Sequence, residues 1–372
     1  SSSSSSSSSS GTVPTLNFDR FRSSSKSLKT FISHTEAVYS IDNALFDDSQ
    51  FICSGSKDKT VRVWDIETNK QIQLFKGHSD YVRCVKFSLY HYYNHRRHII
   101  CSSSLDKTIR FWDIKHNQHL QLLNQHKGWV GGIDFSSFNG GRYLCSGSGD
   151  NTIRLWDVET SKSLHVFNGH EYGVECVVFS PLQSNSNNNN QSKNIGVIGG
   201  SGYTICSGSD DKTIRIWDIE TNKRHIVFKG HENMVRSIKY GPNGLVNTIL
   251  SGSMDKSIRL WDIRSGKQIQ VFNGHKSYVY TVEYSPFEVD NNEFCGILNT
   301  ICSGSTDNTI RFWDIRLNKK ELYVIKGDKI EDNGIYCFKF LSLKKKDENE
   351  INCDCDINLC YGSRNGPIRI WR

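Results

Sequence analysis

Proline and methionine are scarce in this 372-residue chain, which contains five and two of them, respectively. No apolar run approaches the roughly 18 residues of a membrane-spanning helix, and no signal peptide is visible, so we expect neither a membrane span nor secretion. The first residue is not Met, and we therefore expect a piece of a longer protein. The catalytic phrases HExxH, GxSxG and the Walker phosphate loop are also absent, so an enzyme is not expected.

A large excess of charge of one sign is missing too, since 46 Lys and Arg against 39 Asp and Glu leave a net charge of +7. With 36% hydrophobic and 23% charged residues, the composition indicates a globular domain. Six of the twelve cysteines recur in one apolar slot, which is typical of small buried residues. They are Cys53, Cys101, Cys145, Cys206, Cys302 and Cys360. We expect reduced thiols and a cytoplasmic location, with the nucleus as the alternative.

One sequence motif occurs seven times along the chain. Its copies are SGSKDKTVRVWD ending at Asp65, SSSLDKTIRFWD at Asp113, SGSGDNTIRLWD at Asp157, SGSDDKTIRIWD at Asp218, SGSMDKSIRLWD at Asp262, SGSTDNTIRFWD at Asp314 and YGSRNGPIRIW at Trp371. Around it, VRCVKF (82–87), FICSGS (51–56), TVRVWDI (60–66) and QIQLF (71–75) illustrate four strand types in each unit. A four-stranded unit cannot bury both faces alone, so the seven units must pack around one axis.

A unit of about 40 to 45 residues that opens with Gly-His and closes with Trp-Asp resembles the WD-repeat (WD40) family. The resemblance covers residues 27–372 and implies one all-β domain, a seven-bladed propeller with four antiparallel strands per blade. The last unit ends after its third strand, and KSLKTFISH (26–34) aligns with KQIQLFKGH (70–78). We therefore predict that residues 27–32 complete blade seven and close the ring. The Ser-rich residues 1–26 are predicted to be disordered, and the Asn-rich loop 183–194 flexible.

The resemblance implies that a His, a Ser, an Asp and the repeat Trp form a hydrogen-bonded tetrad in each regular blade. Six blades carry it: His34, Ser54, Asp58, Trp64; His78, Ser102, Asp106, Trp112; His126, Ser146, Asp150, Trp156; His170, Ser207, Asp211, Trp217; His231, Ser251, Asp255, Trp261; His275, Ser303, Asp307, Trp313. Sixfold repetition indicates a structural device, because a catalytic triad is a single site. Blade seven has Asp328, Tyr361 and Asn365 instead, so we expect it to depend on the N-terminal strand and packing, and to be the weakest blade.

The resemblance also implies that partners are bound on the top face, by the residues three and five after each His and by the residue before each Asp. These are Tyr39, Lys57, Tyr81, Arg83, Leu105, Trp129, Glu175, Asp210, Met234, Arg236, Met254, Tyr278, Tyr280, Tyr336 and Arg364. Tyr, Trp and Arg dominate binding hot spots, and Met is an adaptable apolar contact. The alternative is that first-strand aromatics beside the axis serve packing.

These features predict a non-catalytic scaffold that binds a peptide or loop of partner proteins and is a subunit of a multiprotein complex. Four basic residues against two acidic ones among the top-face positions predict a ligand with apolar anchors and some acidic character. Nucleic-acid binding is the alternative, suggested by the net charge of +7 and by HYYNHRRH (91–98). The histidines of that stretch, and Cys353 and Cys355, lack zinc-site spacing and are interpreted as solvated loops. No metal, cofactor, membrane or small-molecule substrate is expected.

Overall fold

The computed structural model describes residues 21–22, 26–180, 203–242, 245, 247–286, 300–316, 321–342 and 357–371. Their backbone forms seven sheets, each of four strands, and every described strand pair is antiparallel. The seven-bladed propeller that the sequence predicts is confirmed.

The blades are numbered in chain order, and strand β1 (Ser27–Phe31) precedes blade 1. Blades 1 to 3 comprise β2 (Val38–Phe46), β3 (Ser49–Ser56), β4 (Thr60–Asp65) and β5 (Lys70–Lys76); β6 (Val82–Phe87), β7 (Ile99–Ser104), β8 (Ile109–Asp113) and β9 (Gln118–Leu123); and β10 (Val130–Phe135), β11 (Tyr143–Ser148), β12 (Thr152–Asp157) and β13 (Lys162–Asn168). Blades 4 to 6 comprise β14 (Val174–Phe179), β15 (Thr204–Ser209), β16 (Ile214–Asp218) and β17 (Lys223–Phe228); β18 (Val235–Tyr240), β19 (Thr248–Ser253), β20 (Ser257–Asp262) and β21 (Lys267–Asn273); and β22 (Val279–Tyr284), β23 (Thr300–Ser305), β24 (Thr309–Asp314) and β25 (Glu321–Lys326). Blade 7 comprises β26 (Ile335–Ser342), β27 (Ile357–Ser363), β28 (Ile368–Trp371) and β1.

The ring closes through the N-terminal strand. Strand β1 pairs antiparallel with β28, with Phe31 opposite Ile368. The Phe31 side chain is 2% exposed, and its ring centre lies 5.1 Å from that of Trp64 in blade 1. The predicted origin of the fourth strand is thus confirmed. The strand ends at Phe31, and Ile32, which was included in the prediction, is 71% exposed.

Apolar side chains of neighbouring blades form the core. Between blades 1 and 2, for example, Val61 and Phe75 pack with Val82 and Trp112. The six recurring cysteines are fully buried in this core, and all nine cysteines of the described residues are free thiols. This packing explains why one blade cannot fold alone, because each blade covers an apolar face of the next.

The first strand of every blade contains a β-bulge near its start. The register shifts lie between Val38 and Ser40, Val82 and Cys84, Val130 and Ile133, Val174 and Cys176, Val235 and Ser237, Val279 and Thr281, and Ile335 and Cys337. A bulge leaves one residue without a ladder partner and re-aims its side chain. In all blades the unpaired residue lines the axial cavity, but in blade 3 the unpaired positions are glycines, which have no side chain to direct there.

The stretch 91–98 differs from the loop that the sequence predicts. It overlaps helix α1 (Leu89–His95), whose Tyr90 is buried and whose Tyr92 ring lies 4.7 Å from Phe46. No helix in the described part of the chain has the length and apolar character needed to cross a membrane. Residues 1–20 and the Asn-rich loop 183–194 lie outside the described residues. Phe21, within the segment predicted to be disordered, is 5% exposed and packs on Phe312 at 5.7 Å.

Candidate functional site

The His, Ser, Asp and Trp of each regular blade form one chain of hydrogen bonds. In blade 1, the indole N–H of Trp64 donates to Ser54 Oγ at 3.0 Å, and His34 Nε2 lies 2.8 Å from the same oxygen. The other ring nitrogen of His34 lies 2.7 Å from Asp58 Oδ2. A neutral ring protonated at Nδ1 donates to the carboxylate and accepts from the Ser hydroxyl, so every buried donor has an acceptor.

The same contacts occur in the other five regular blades, with all distances between 2.7 and 2.9 Å. The Trp–Ser, Ser–His and His–Asp contacts join the tetrads at Trp112, Trp156, Trp217, Trp261 and Trp313. The repetition of one geometry in six blades argues for a structural role, since each set closes its own turn.

Burial fixes the protonation state of these groups. It lowers the pKa of His34, His78, His126, His170 and His231, although the hydrogen bond to the paired Asp raises it. Burial by itself raises the pKa of each carboxyl, but the hydrogen bonds from His and from the following Thr or Ser outweigh it. The pKa therefore lies well below its usual value in Asp58, Asp106, Asp150, Asp211, Asp255 and Asp307. The tetrads of these five histidines thus pair a neutral His with a carboxylate.

Blade 7 has a different buried polar network, which the sequence analysis missed. Asp332 is fully buried, accepts from the Tyr361 hydroxyl at 2.9 Å and pairs with Arg369 Nε at 2.9 Å. Arg369 also donates to Thr30 of the N-terminal strand at 3.1 Å. Asp328, the residue aligned with the repeat His, is exposed and caps a turn. The expectation that blade 7 depends on its N-terminal strand and packing alone therefore omits this network.

The bulges bring one residue from each blade to the same end of the axis. We call these residues the axial mouth; they are Tyr39, Arg83, Gly131, Glu175, Arg236, Tyr280 and Tyr336. They line the upper part of an axial cavity of about 730 Å³. Six of the seven were predicted from the sequence as top-face residues, and only Gly131 was not.

Aromatic residues from blades 6, 7 and 1 lie together on one side of the axial mouth, and charged residues from blades 2, 4 and 5 lie on the other. The Tyr336 ring lies 4.5 Å from Tyr280 and 5.4 Å from Tyr39, both edge to face. The guanidinium groups of Arg83 and Arg236 lie over Tyr39 and Tyr280, at 4.8 and 5.2 Å from the ring centres. Such contacts hold aromatic faces rigidly, which lowers the entropy lost when a ligand binds.

One carboxylate forms ion pairs with both arginines of the mouth. Glu175, 9% exposed, forms ion pairs with Arg83 at 2.7 Å and with Arg236. Burial would raise the pKa of Glu175, but the two arginines lower it. Burial and the Glu175 charge raise the pKa of neighbouring Asp210 to about 6. Asp210 Oδ1 is buried and has no hydrogen-bond donor among the described residues.

The remaining top-face residues lie outside the axial mouth, but on the same end of the blades. In every blade, one backbone hydrogen bond joins the two kinds of position. The N–H of the residue before the tetrad Asp, or before Asn365 in blade 7, is the donor. The carbonyl of the residue three after the tetrad His, or of Gly334 in blade 7, is the acceptor. The pairs are Lys57–Ala37, Leu105–Tyr81, Gly149–Trp129, Asp210–Gly173, Met254–Met234, Thr306–Tyr278 and Arg364–Gly334. The resemblance implied partner binding by the residue three after the His and by the residue before the Asp, and these two positions are therefore neighbours in space.

Two of these residues are engaged in contacts that favour packing. A Cβ atom added to Gly149 or Gly173 would lie 2.3 or 2.5 Å from the indole of Trp129, so this ring fills a slot between two glycines. Lys57 pairs with Glu36 at 3.1 Å and lies 5.4 Å from the Tyr81 ring centre. For Trp129, the packing alternative is thus the better supported one.

Deeper in the axial cavity, a second ring of charged residues was missed by the sequence analysis. Lys86 pairs with Asp134 at 3.2 Å, and Glu283 pairs with Lys239 at 2.9 Å and Lys339 at 3.7 Å. Except for Lys339, whose blade lacks the His, each of these residues stands eight positions after a repeat His. That recurring position was the signal that could have revealed them.

The groups that suggested nucleic-acid binding are largely engaged within the protein. Arg97 pairs with the buried Asp113 at 3.2 Å, and Tyr92 packs on Phe46. Arg96 remains exposed and lies over the Tyr92 ring at 5.7 Å. No group of three or more His, Cys, Asp or Glu residues that could hold a metal ion occurs in the part of the chain that the structure describes.

Curated relatives match only short segments of the chain. A Lissencephaly-1 homolog from Branchiostoma floridae is 40% identical over 73 residues, 19% of this chain and 17% of that protein. A U3 small nucleolar RNA-associated protein 15 homolog from Xenopus laevis is 39% identical over 62 residues, 17% of this chain and 12% of that protein. The peroxisomal targeting signal 2 receptor of Mus musculus is 36% identical over 55 residues, 15% of this chain and 17% of that protein. The matched segments thus span less than a fifth of each relative.

A family model provides broader coverage. The model of the WD domain, G-beta repeat, matches residues 25–65, 69–113, 117–157, 161–218, 222–262 and 266–314, which is well over half of the chain. These six segments contain the six regular tetrads, and blade 7 with its different polar network follows them. The chain belongs to the WD-repeat family.

Proposed function

We propose that this protein is a non-catalytic scaffold whose axial mouth binds a peptide or loop of a partner protein within a multiprotein assembly. The observation that carries the proposal is the convergence of six predicted binding residues, three Tyr, two Arg and one Glu, on one open cavity. WD-repeat proteins generally act by binding other proteins, and the six repeated His–Ser–Asp sets are each used to close a blade.

The ion pairs at the mouth change the chemistry that we expect of the ligand. The sequence predicted a ligand with some acidic character because four of the top-face residues are basic. In the structure, however, Arg83 and Arg236 form ion pairs with Glu175, and Lys57 forms one with Glu36. The buried Asp210 oxygen, in contrast, lacks a donor, and such a group costs free energy until it is satisfied. We therefore propose a ligand segment with an apolar or aromatic anchor and a hydrogen-bond donor for Asp210.

The proposed setting is the cytoplasm or the nucleus. Free, buried cysteines are usual in reducing compartments. One of the similar proteins is a small nucleolar RNA-associated protein homolog, which is consistent with the nuclear alternative for this chain.

A comparative affinity purification tests the proposal. Wild-type protein, Tyr280→Ala and Asp210→Asn would be used to capture partners from cell extract, followed by mass spectrometry. Tyr93→Ala is the matched control, because Tyr93 is 64% exposed on α1, outside the axial cavity. All variants would first be checked for wild-type thermal unfolding.

We expect the same partners to be lost from Tyr280→Ala and Asp210→Asn and kept by Tyr93→Ala. A synthetic peptide from such a partner should then bind wild-type protein and bind Tyr280→Ala at least about tenfold more weakly. A partner list that is unchanged in both Tyr280→Ala and Asp210→Asn would refute a binding role for the axial mouth and the adjacent Asp210.

A further inference from the structure

The outer strand of each regular blade places one residue opposite the repeat Trp, beside an Arg of the third strand. In blades 1 and 5 this residue is Gln71 or Gln268, and its amide oxygen accepts from Arg62 at 2.7 Å or from Arg259 at 2.6 Å. Ser163 in blade 3 and Glu321 in blade 6 also pair with their Arg. The position therefore normally supplies an acceptor for a guanidinium group.

Blade 4 has a hydrogen-bond donor, an Arg, at this position instead of an acceptor. The residue opposite Trp217 is Arg224, so blade 4 has a second basic residue at the strand position where blades 1 and 5 have a Gln. Its neighbour Arg215 is 5% exposed and donates to Thr213 Oγ1 at 3.1 Å and Asp211 Oδ2 at 3.2 Å. Burial lowers the pKa of Arg215, Asp211 raises it, and Arg224 lowers it further. Like charges that are kept close in this way favour a bound anion.

The two arginines line an open pocket of about 600 Å³. Lys212 and Lys229 also line it, and the acids among the lining residues are Asp211 and Glu171. Four basic and two acidic residues give the pocket a net charge of +2 with His neutral. Asp211 is already held by His170 at 2.7 Å and by Arg215. In the described part of the chain, no acid lies within ion-pair distance of Lys212, Arg224 or Lys229.

We propose that this blade 4 pocket is a binding site for a phosphoryl group carried by a phosphorylated Ser or Thr of a partner protein. A phosphate dianion would neutralise the +2 charge, and the planar guanidinium of Arg224 can bind two of its oxygens at once. Lys212 and Lys229 supply flexible ammonium donors on either side. The pocket is separate from the axial mouth, so the inference does not depend on the proposed function of the mouth.

A protein ligand is favoured over a lipid headgroup by the pocket's surroundings. Proteins that dock on bilayers usually insert exposed apolar side chains beside their basic groups. None of the residues that line this pocket is a large exposed hydrophobic residue; Val227, the apolar one, is half-buried.

The chain itself provides a matched comparison for the test. Blade 1 reads DKTVRVWD and KQIQLFKGH where blade 4 reads DKTIRIWD and KRHIVFKGH, so Lys59, Arg62 and Lys76 correspond to Lys212, Arg215 and Lys229. The basic residues of the pocket differ between the two blades only at Gln71 and Arg224. Arg224→Gln therefore gives blade 4 the arrangement of blade 1, and Gln71→Arg does the reverse.

The experiment is isothermal titration calorimetry of the full chain with a short Gly-rich peptide that contains one phosphoserine. Wild-type protein is expected to bind one equivalent, Arg224→Gln about tenfold more weakly, and Gln71→Arg a second equivalent. Lys223→Gln, an exposed neighbour that does not line the pocket, is expected to bind like wild type. Lys212→Gln serves as a second loss variant, because its exposed side chain can change without affecting folding.

Equal affinity of wild-type protein, Arg224→Gln and Lys212→Gln, or no saturable binding to wild type, would overturn the proposal. Cosedimentation with phosphatidylcholine vesicles that contain phosphatidylinositol phosphate is the second arm. Binding to these vesicles without binding to the phosphopeptide would reject the protein ligand in favour of a lipid. Binding of the unphosphorylated peptide with the same affinity would also overturn the site.

Discussion

The guanidinium of Arg83 in blade 2 lies 2.7 Å from the carboxylate of Glu175 in blade 4, on the far side of blade 3. This approach is possible because blade 3 has Gly131 at the equivalent position. A Cβ atom on Gly131 would lie 2.6 Å from the Glu175 carbonyl oxygen. The missing side chain thus lets two blades that are not neighbours share one buried ion pair.

Removing the charge of Glu175 should destabilise the mouth. Glu175→Gln leaves Arg83 and Arg236, whose side chains are 15% and 12% exposed, without the carboxylate that pairs with both, and we expect a loss of about 3 kcal/mol in the free energy of unfolding. Glu36→Gln is the control, since its ion pair with Lys57 is solvent-exposed and should contribute less than about 1 kcal/mol. Urea denaturation measures both, and equal effects would contradict the argument.

The same substitution has a second readout that general destabilisation does not produce. Burial and the Glu175 charge raise the pKa of Asp210 to about 6. In Glu175→Gln, the repulsion between the two carboxyls disappears, so the pKa of Asp210 should fall. NMR titration of the Asp210 carboxyl carbon would measure the change. An unchanged pKa would show that burial alone sets the value.

If the N-terminal strand closes the ring, substitutions of two adjacent residues should change the free energy of unfolding by unequal amounts. Phe31→Ala removes a ring that is 2% exposed and packs on Trp64, and we expect a loss of about 3 to 5 kcal/mol. Ile32→Ala, next in the chain but 71% exposed, should change the unfolding free energy by less than about 0.5 kcal/mol. Chemical denaturation compares the two, and a small effect of Phe31→Ala would argue against a closing role for the strand.

The polar network of blade 7 can be tested at its centre. Asp332→Ala leaves Arg369 and the Tyr361 hydroxyl without their buried acceptor, so we expect a loss of about 3 kcal/mol or more. Glu331→Ala removes the other, 58% exposed partner of Arg369 and should cost less than about 1 kcal/mol. If thermal unfolding shows the two variants to be alike, Asp332 does not organise this blade.

The tetrads predict that acid destabilises the fold. Burial lowers the pKa of five tetrad histidines, so the unfolded chain binds protons near pH 6.5 that the folded chain does not. Stability should therefore fall as the pH drops below about 6.5. Asp210, whose pKa is raised, has the opposite effect but is a single group.

Urea midpoints between pH 7.5 and pH 5 measure this dependence, because the range spans the ordinary histidine pKa of about 6.5. His126→Gln should reduce the slope, because one fewer neutral His is then buried. The tetrad carboxyls add to the loss only below about pH 4, where the unfolded chain protonates while their folded pKa is lower still. A constant midpoint from pH 7.5 to 5 would contradict the neutral-His assignment.

The amino-acid sequence by itself determined the blades, their number and the tetrads, because these depend on spacings within one repeat. Trp64 follows Ser54 by ten residues and Asp58 by six, and adjacent strands of a hairpin bring such residues together whatever surrounds them. The origin of the closing strand was also predictable, since β1 has the same pattern as the outer strands. Six of the seven axial-mouth residues followed from their recurring position.

Only the tertiary structure decided which of these residues pair across the axis. Arg83 and Glu175 are 92 residues apart, and their shared repeat position does not specify that they pair, so their ion pair depends on ring closure and on the missing side chain of Gly131. Asp332 could not be found from the repeat, because it stands four residues after the aligned position and reaches Tyr361 through an irregular turn. Short-range spacing specifies hydrogen bonds within a blade, whereas contacts between blades depend on how all seven pack around the axis.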